Sequence, residues 1–215
     1  MTRIVLTSDA TLLSDFHHVP LGPFLSCAPA EKVPGPIFNL ISHITPSVDG
    51  TALYAPYGLR KIEAALLQTC KPSDVVIAHP SHVQHFIDKD TKIVGISTMD
   101  PLGLGPVSMM FTMGGLFTAY SKKAFLKLME CIRQARNGLS FKLILGGSGV
   151  WQLEHWRNLV KSLGIDHVIV GEVDHIAAKL FQDLEDGYKD TFIHLKGGSQ
   201  PSQIPLILKP SIQGI

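Results

Sequence analysis

The sequence has few charged side chains and almost no net charge. Of its 215 residues, 17% are charged, and 19 basic side chains stand against 18 acidic ones. An average soluble protein has about a quarter of its residues charged. Intrinsic disorder is excluded, because it needs low hydrophobicity and high charge whereas 45% of this chain is hydrophobic. The near-zero charge balance also argues against a protein that binds nucleic acid through phosphate contacts, because no basic surplus exists to release counterions.

Cysteine is scarce, and long apolar runs are missing. Cys27, Cys70 and Cys131 lie far apart and form neither a Cys-x-x-Cys pair nor a zinc spacing, which favours a reducing compartment. The first apolar run is too short for a signal peptide, and no stretch approaches the roughly 20 apolar residues of a membrane span. We therefore expect a cytoplasmic protein without membrane or nucleic-acid partners.

Sequence motifs of several common enzyme classes are also missing. The chain contains no Gly-x-x-x-x-Gly-Lys-Ser/Thr, so P-loop chemistry is excluded. The Gly-Ser-Gly at residues 147–149 is not a dinucleotide fingerprint, because Gln152 occupies the third glycine position. No Ser, His and Asp set has a recognisable nucleophile elbow, and no acid–base pair is evident. The sequence alone therefore indicates no catalytic residue.

The sequence does contain short apolar runs that alternate with helical patterns. The runs are mostly β-branched without strict alternation, which is typical of parallel strands covered on both faces. They lie at residues 4–7, 75–78, 93–97, 143–145 and 167–170. Helical patterns lie at residues 57–69, 81–88, 121–137, 151–163 and 174–184. This alternation predicts an α/β fold with a five-stranded parallel sheet in a flavodoxin-like (Rossmann-like) three-layer sandwich; the strand order 2-1-3-4-5 follows by analogy.

Two connections are far longer than the two to six residues of an ordinary strand-to-helix loop. Residues 8–55 follow the first predicted strand and residues 98–120 follow the third, and the glycines and prolines concentrate there. Both connections leave the carboxyl edge of the sheet, where ligands bind in open α/β folds. We interpret them as lids over a ligand; ordinary insertions or an extra subdomain are the alternative.

Small and polar residues follow three successive predicted strands. Glycines allow a ligand to approach the backbone, and a following helix N-terminus favours anionic or amide groups. Together the strand ends would form a shallow polar platform suited to a broad flat ligand. The alternative is a tight turn with ordinary strand-end hydroxyls. The residues predicted to line the ligand site are Ser97, Thr98, Gly146, Gly147, Ser148, Gly171 and Glu172.

Two groups of histidines give a weak indication of a metal site. Asp15 precedes His17 by two residues, and such a carboxylate can orient an imidazole as a metal ligand. Without a third ligand, an exposed polar turn explains the pair better. His79, His82 and His85 are three residues apart, so on a helix the third drifts off the face that the first two share. We assign them a structural or solvated role.

Four short motifs occur in a characteristic order along the chain. They are Ala-Pro-Tyr-Gly-Leu at residues 55–59, Ile-Val-Gly-Ile-Ser at 93–97, Leu-Gly-Gly at 145–147 and Val-Gly-Glu at 170–172. Their order resembles the N-terminal cobalamin-binding-like domain of radical SAM proteins of the archaeal-type Fe–S oxidoreductase family. The resemblance implies cobalamin as the cofactor of the predicted site, and radical methylation or a related rearrangement as the reaction of the whole protein.

The resemblance also implies a division of the chain. Residues 1–190 would be the cobalamin-binding-like domain, and residues 191–215 a linker and the start of a missing radical SAM domain. In the family that domain carries Cys-x-x-x-Cys-x-x-Cys, which holds a [4Fe–4S] cluster that binds S-adenosylmethionine; the motif does not occur here. The chain would then be non-catalytic by itself, with the radical SAM domain of the same polypeptide as its partner. We expect the residues after Gly187 to be poorly packed.

The first long connection departs from the cobalt-binding motif of cobalamin mutases. That motif is Asp-x-His-x-x-Gly, whereas the next glycine after His17 is Gly22, five residues on. Many radical SAM relatives are similar in lacking the histidine ligand, so the departure leaves cobalamin open. Two other functions remain: a cofactor-free interaction domain that caps the radical SAM barrel, and a stand-alone flavodoxin-like domain that binds a nucleotide or flavin.

Overall fold

The molecule is built on a central sheet of six parallel strands. The computed structural model describes residues 2–196, 206–207 and 209–212. In chain order the strands are β1 (Ile4–Ser8), β2 (Ser47–Val48), β3 (Thr51–Ala52), β4 (Ala55–Pro56), β5 (Val75–Ile77), β6 (Ile93–Ser97), β7 (Lys142–Gly146), β8 (His167–Val170), β9 (Phe192–His194) and β10 (Ser211–Ile212). The central sheet has the order β5-β1-β6-β7-β8-β9.

In the part of the chain that the structure describes, six α-helices cover this sheet and its insertions. They are α1 (Gly35–Ser42), α2 (Tyr57–Leu66), α3 (Pro106–Phe111), α4 (Tyr120–Ala135), α5 (Arg157–Ser162) and α6 (Ala177–Glu185). The predicted α/β class and parallel sheet are confirmed, and the five predicted strands stand in the order 2-1-3-4-5. The predicted number of strands is wrong, because β9 pairs in parallel with β8 as a sixth strand. β9 reads Phe-Ile-His and buries only Ile193, so it lacks the continuous apolar run by which the other strands were predicted.

Two predicted helices differ from the observed ones. The helix predicted over 151–163 is a 3₁₀ turn at Val150–Leu153 followed by the short α5, because the backbone of Trp156 leaves the helical region at φ −116° and ψ 47°. The helix predicted over 81–88 is only a 3₁₀ turn at Val83–Phe86. None of the helices in the described ranges is both long and apolar enough to cross a membrane.

Apolar side chains fill the space between the sheet and the helices on both of its faces. On one face, Leu6 and Ile144 pack in one cluster with Leu59 of α2 and Phe181 of α6. On the other face the sheet packs against α4 and α5, and that cluster includes Val5, Val94, Leu145, Val168, Phe125, Leu128 and Val160. Alternate residues of each strand therefore serve different layers, as the period of a strand requires.

The two long insertions pack against each other above the carboxyl edge of the sheet. The backbone N–H of Ala30 donates to the carbonyl of Thr118 at 2.8 Å, and that of Tyr120 donates to Ala28 at 3.0 Å. The Tyr120 ring stacks on Phe38 with centroids 3.6 Å apart, and its hydroxyl donates to a backbone carbonyl of the first insertion. Each insertion therefore depends on the other for its packing.

Two described segments after Gly187 pair with other strands, so the expectation of loose packing is wrong for these two. Phe192–His194 forms β9, in which Ile193 is buried, and Ser211–Ile212 forms β10, which pairs in parallel with β4. Residues 192–194 thus belong to the sheet although they fall in the predicted linker. Of the predicted segment 191–215, residues 197–205, 208 and 213–215 lie outside the described residues.

A buried ion pair on α2 is linked to residues 209–212, called here the C-terminal segment. Arg60 and Glu63 are 2% and 3% exposed, and the Arg60 guanidinium lies 2.8 Å from a Glu63 carboxylate oxygen. Arg60 Nε also donates to the carbonyl of Pro210 at 3.0 Å, and Lys209 Nζ donates to the other Glu63 oxygen. The same guanidinium donates to the carbonyls of Ala52 and Leu53.

We predict that Glu63→Gln lowers the free energy of unfolding by about 3 kcal/mol, because it leaves the buried Arg60 charge without its carboxylate. Urea denaturation followed by circular dichroism measures this change. Glu130→Gln is the matched control, since Glu130 forms the same type of pair with Arg133 on the exposed face of α4 and should leave stability nearly unchanged. Equal effects of the two substitutions would contradict the role given to the buried pair.

Candidate ligand-binding site

A deep cavity opens at the carboxyl edge of the sheet. This cavity, called cavity A, has a volume of about 400 Å³ and lies between the sheet and helices α2 and α6. Its apolar lining includes Leu6, Ile144 and Ile169 from the strands, Ile62 from α2 and Phe181 from α6. A volume of this size is typical of small-molecule sites, which are mostly apolar with a few placed polar groups.

A glycine in the middle of β6 lines cavity A, next to the Leu6 side chain. Gly95 lies between Leu6 of β1 and Ile144 of β7 in the register of the sheet. A Cβ at position 95 would lie 2.9 Å from the Leu6 Cδ2 atom and would point toward Phe181. The sequence pattern predicted Gly95 only as part of a strand. The sequence feature that could have identified Gly95 is a glycine within an apolar strand, because such a glycine marks a close approach of another group to the backbone.

Most of the predicted ligand residues line cavity A. Those that do are Ser97, Gly146, Gly147, Ser148, Gly171 and Glu172. Thr98 does not line the cavity. It is 1% exposed, and its hydroxyl has no hydrogen-bond partner among the described residues. The structure therefore brings three successive strand ends together around one opening, because parallel strands end at the same edge.

The loops after β6 and β7 are interlocked by their backbones. The Thr98 N–H donates to the Gly146 carbonyl at 2.9 Å, and the Gly149 N–H donates to the Thr98 carbonyl at 3.1 Å. A Cβ on Gly147 would lie 2.3 Å from the Thr98 oxygen, and one on Gly149 would lie 2.2 Å from the Met99 oxygen. Gly147 and Gly149 are therefore required by the packing of the chain itself.

The two remaining glycines of the site differ: Gly171 is required by packing, and Gly146 faces open space. Gly171 has φ +118°, and a Cβ there would lie 2.4 Å from the Leu195 carbonyl oxygen, so it too is explained by internal packing. A Cβ on Gly146 would meet nothing within 4 Å. Among the glycines predicted to admit a ligand, Gly146 is the one that faces open space in cavity A.

The mouth of cavity A carries charged groups of both signs. Lys61 of α2 forms an ion pair with Asp174, and both side chains line the cavity and are largely buried. Glu172 lies on the same lining, together with the hydroxyl-bearing Ser97 and Ser148. Cavity A is thus apolar in its depth and polar at its rim, which suits a ligand with an apolar end and a hydrogen-bonding body.

His17 lies away from cavity A and is engaged in other contacts. Its Nε2 is 2.7 Å from the Leu40 carbonyl oxygen, so this nitrogen must carry the proton and donate. Its ring stacks on His43 at 4.8 Å, and Asp15 accepts hydrogen bonds from the His43 ring and from the His17 backbone. Within the described residues, no group of three or more His, Cys, Asp and Glu side chains could hold a metal ion.

A buried aspartate at the end of β1 is a feature that the sequence patterns did not predict. Asp9 is 3% exposed, and its Oδ1 accepts hydrogen bonds from the backbone N–H groups of Thr11 at 2.9 Å and Leu12 at 3.4 Å. Burial raises the pKa of Asp9, although these hydrogen bonds oppose the rise. The amide groups that could cradle a phosphate after the first strand are therefore occupied by the chain's own carboxylate. The sequence feature that could have indicated this hydrogen bond is an aspartate two residues before a threonine in a turn.

No protein-family model, no curated protein and no solved structure is significantly similar to this chain. The fold alone does not specify a function, because α/β sheets of this type support many unrelated activities. The geometry and chemistry of the site therefore support the functional proposal.

We predict that Asp9→Asn changes how stability depends on pH. Burial raises the pKa of Asp9 above the ordinary value of an aspartate, which is about 3.9, so the folded state holds its proton more tightly than the unfolded state does. The free energy of unfolding should therefore fall as the pH rises from that ordinary value toward the raised one, and then level off. Asp9→Asn removes this fall, as urea denaturation across a pH series would show.

The exposed Asp186→Asn serves as the control for this measurement and should follow the wild-type pH profile. A profile of Asp9→Asn that is identical to the wild-type profile would show that the Asp9 carboxyl is not perturbed by burial.

Proposed function

We propose that this chain is the cobalamin-binding domain of a radical SAM protein of the Fe–S oxidoreductase type, and that cavity A receives the nucleotide tail of the cofactor. The observation that carries the proposal is the cavity itself, which is apolar in depth, polar at its rim and open at the carboxyl edge of a parallel sheet. Ligands of open α/β folds bind at this edge.

The residues present fit the parts of this cofactor. Cobalamin is a flat macrocycle whose tail ends in an aromatic base. The apolar lining formed by Leu6, Gly95 and Ile144 would accept the base through apolar contact. Ser97 and Ser148 at the rim would donate hydrogen bonds to the sugar and phosphate of the tail.

Open space at Gly146 would let the macrocycle approach the end of β7. When bound, cobalamin supplies methyl-transfer or rearrangement chemistry, and the residues of this chain hold and orient it and exclude water from its tail. His17 has no role in the proposal, because its Nε2 donates to a backbone carbonyl. His17 would therefore not serve as a cobalt ligand.

The proposal places the [4Fe–4S] cluster and S-adenosylmethionine in another domain of the same polypeptide. Cys27 is buried, while Cys70 and Cys131 are partly buried, and all three are free thiols far apart in the sequence. They do not provide the closely spaced thiolates that such a cluster needs. This chain would therefore contribute the cofactor site, and the radical SAM domain would contribute the catalytic centre.

A second candidate function, a cofactor-free interaction domain, is favoured by one observation. Both insertions expose large apolar side chains, with Leu21, Leu40, Met110, Met113 and Leu116 between 68% and 74% exposed. Exposed apolar surface of this kind is typical of a face that another protein domain covers. A flavodoxin-like flavin domain is disfavoured, because Asp9 occupies the amide groups after β1 that would bind a flavin phosphate.

Titration with hydroxocobalamin tests the proposed cofactor site. We expect stoichiometric binding by the wild-type chain, measured as a change in the cofactor absorbance and by co-elution in gel filtration. Gly146→Leu should weaken binding at least roughly tenfold, because it places a side chain in the open space of cavity A. Gly146→Ala is the matched small variant and should bind nearly as well as wild type. Cobinamide, which lacks the nucleotide tail, should bind more weakly than hydroxocobalamin.

The other outcomes separate the alternatives. A well-folded chain that does not bind hydroxocobalamin would overturn the proposal and favour the interaction domain. Stoichiometric binding of flavin mononucleotide instead would favour the flavodoxin-like function. Equal binding by wild type and Gly146→Leu would show that the cofactor binds elsewhere on the chain.

A further inference from the structure

A second cavity lies between the two insertions, next to cavity A. This cavity, called cavity B, has a volume of about 340 Å³. Its lining includes Phe16 and Phe24 from the first insertion, Met99 and Asp100 from the second, and Trp151 from the turn after β7. Cavity B shares only its border residues, Ser148 and Trp151, with cavity A. It is therefore a separate space, with a different set of walls.

Among the residues that the structure describes, the only charged side chain that lines cavity B is Asp100, which is 8% exposed. Its carboxylate accepts hydrogen bonds from Gly105 N–H at 2.9 Å, Gln152 Nε2 at 2.6 Å, Ser121 Oγ at 3.1 Å and the hydroxyl of Ser108. All of these donors are neutral. No lysine, arginine or histidine of the described residues forms an ion pair with Asp100.

A buried carboxylate without a cationic partner is unusual in proteins. Aspartate is almost never buried unless it is paired, because the charge loses its hydration. The neutral donors hold the Asp100 carboxylate in place but leave its negative charge uncompensated within a largely apolar cavity. In surroundings of low dielectric constant, such a charge attracts a cation more strongly than it would in water.

Aromatic side chains in the same cavity add a second preference for a cation. Phe16 is buried, while Phe24 is 38% and Trp151 50% exposed, so the latter two rings have surface free for a ligand. The faces of such rings attract cations, and quaternary ammonium groups in particular are recognised by aromatic side chains. Met99, at 42% exposure, adds polarizable surface.

The other polar groups of cavity B add no charge to that of Asp100. Burial raises the pKa of the Cys27 thiol, which therefore stays uncharged at neutral pH. The remaining polar lining includes the hydroxyl groups of Thr11, Ser14 and Ser26. At the mouth of cavity A, by contrast, Lys61 is already paired with Asp174.

We infer that cavity B binds a small organic cation carrying an alkylated ammonium group, with Asp100 as its counter-charge and Phe24 and Trp151 as its aromatic contacts. This inference is independent of the ligand of cavity A. Because Trp151 borders both cavities, a cation in cavity B would lie beside whatever cavity A holds.

Choline and its uncharged isostere 3,3-dimethylbutan-1-ol are the probes for the test. The chain has two tryptophans, so a Trp156→Phe background leaves Trp151 as the only indole reporter. We expect titration of this protein, followed by tryptophan fluorescence and by calorimetry, to show choline binding at least roughly tenfold tighter than the neutral alcohol. Asp100→Asn in the same background should remove that preference and reduce choline to the affinity of the alcohol.

Matched variants locate the binding and guard against misfolding. Asp174→Asn and Gly146→Leu alter cavity A and should leave the choline affinity unchanged. Phe24→Leu, at a partly exposed position, should lower the choline affinity while near-ultraviolet circular dichroism stays unchanged. If Asp100→Asn does not fold, the choline affinity of Phe24→Leu tests the inference in its place.

The inference is overturned if choline does not bind, if the two probes bind equally, or if Asp100→Asn or Phe24→Leu retains the full preference for choline. Failure of hydroxocobalamin binding together with success of the choline test would overturn only the proposal for cavity A.

Discussion

The backbones after β6 and β7 approach so closely that a Cβ on Gly147 would lie 2.3 Å from the Thr98 carbonyl oxygen. This interlock fixes the positions of the side chains on the ligand edge. On one side of it Ser97 and Ser148 form the rim of cavity A, and on the other side Asp100 begins the wall of cavity B. The two cavities are neighbours because the two loops are joined at this point. Gly147 is needed for the packing of the two loops against each other. The open space at Gly146 is a separate feature.

The sequence contains enough to predict five of the six strands of the sheet and the edge at which its loops meet. Apolar runs and the residues that follow them are local signals, so strand-end residues as far apart as Ser97 and Glu172 can be assigned to one edge from the sequence alone. Cavity B cannot be predicted in this way. Asp100 accepts hydrogen bonds from Ser121 and from Gln152, which are 21 and 52 residues away in the sequence. Contacts at such separations are set by the packing of the insertions, which no short sequence pattern encodes.

The two cavities differ in chemistry although they share a border. Cavity A has an ion pair of Lys61 and Asp174 at its mouth and an apolar interior that an uncharged ring system can fill. Cavity B has a carboxylate, at Asp100, and aromatic walls. One protein edge can thus offer neighbouring ligands two different environments. Trp151 lines both cavities.

Arg60 has a consequence for the motions of the protein. One buried guanidinium connects Glu63 of α2, the carbonyls of Ala52 and Leu53, and the carbonyl of Pro210. Releasing any of these groups would leave a buried charge or carbonyl without its partner. We therefore expect the C-terminal segment, the first insertion and α2 to open as one cooperative unit. Because α2 is also a wall of cavity A, detachment of the C-terminal segment and opening of that wall should be a single event.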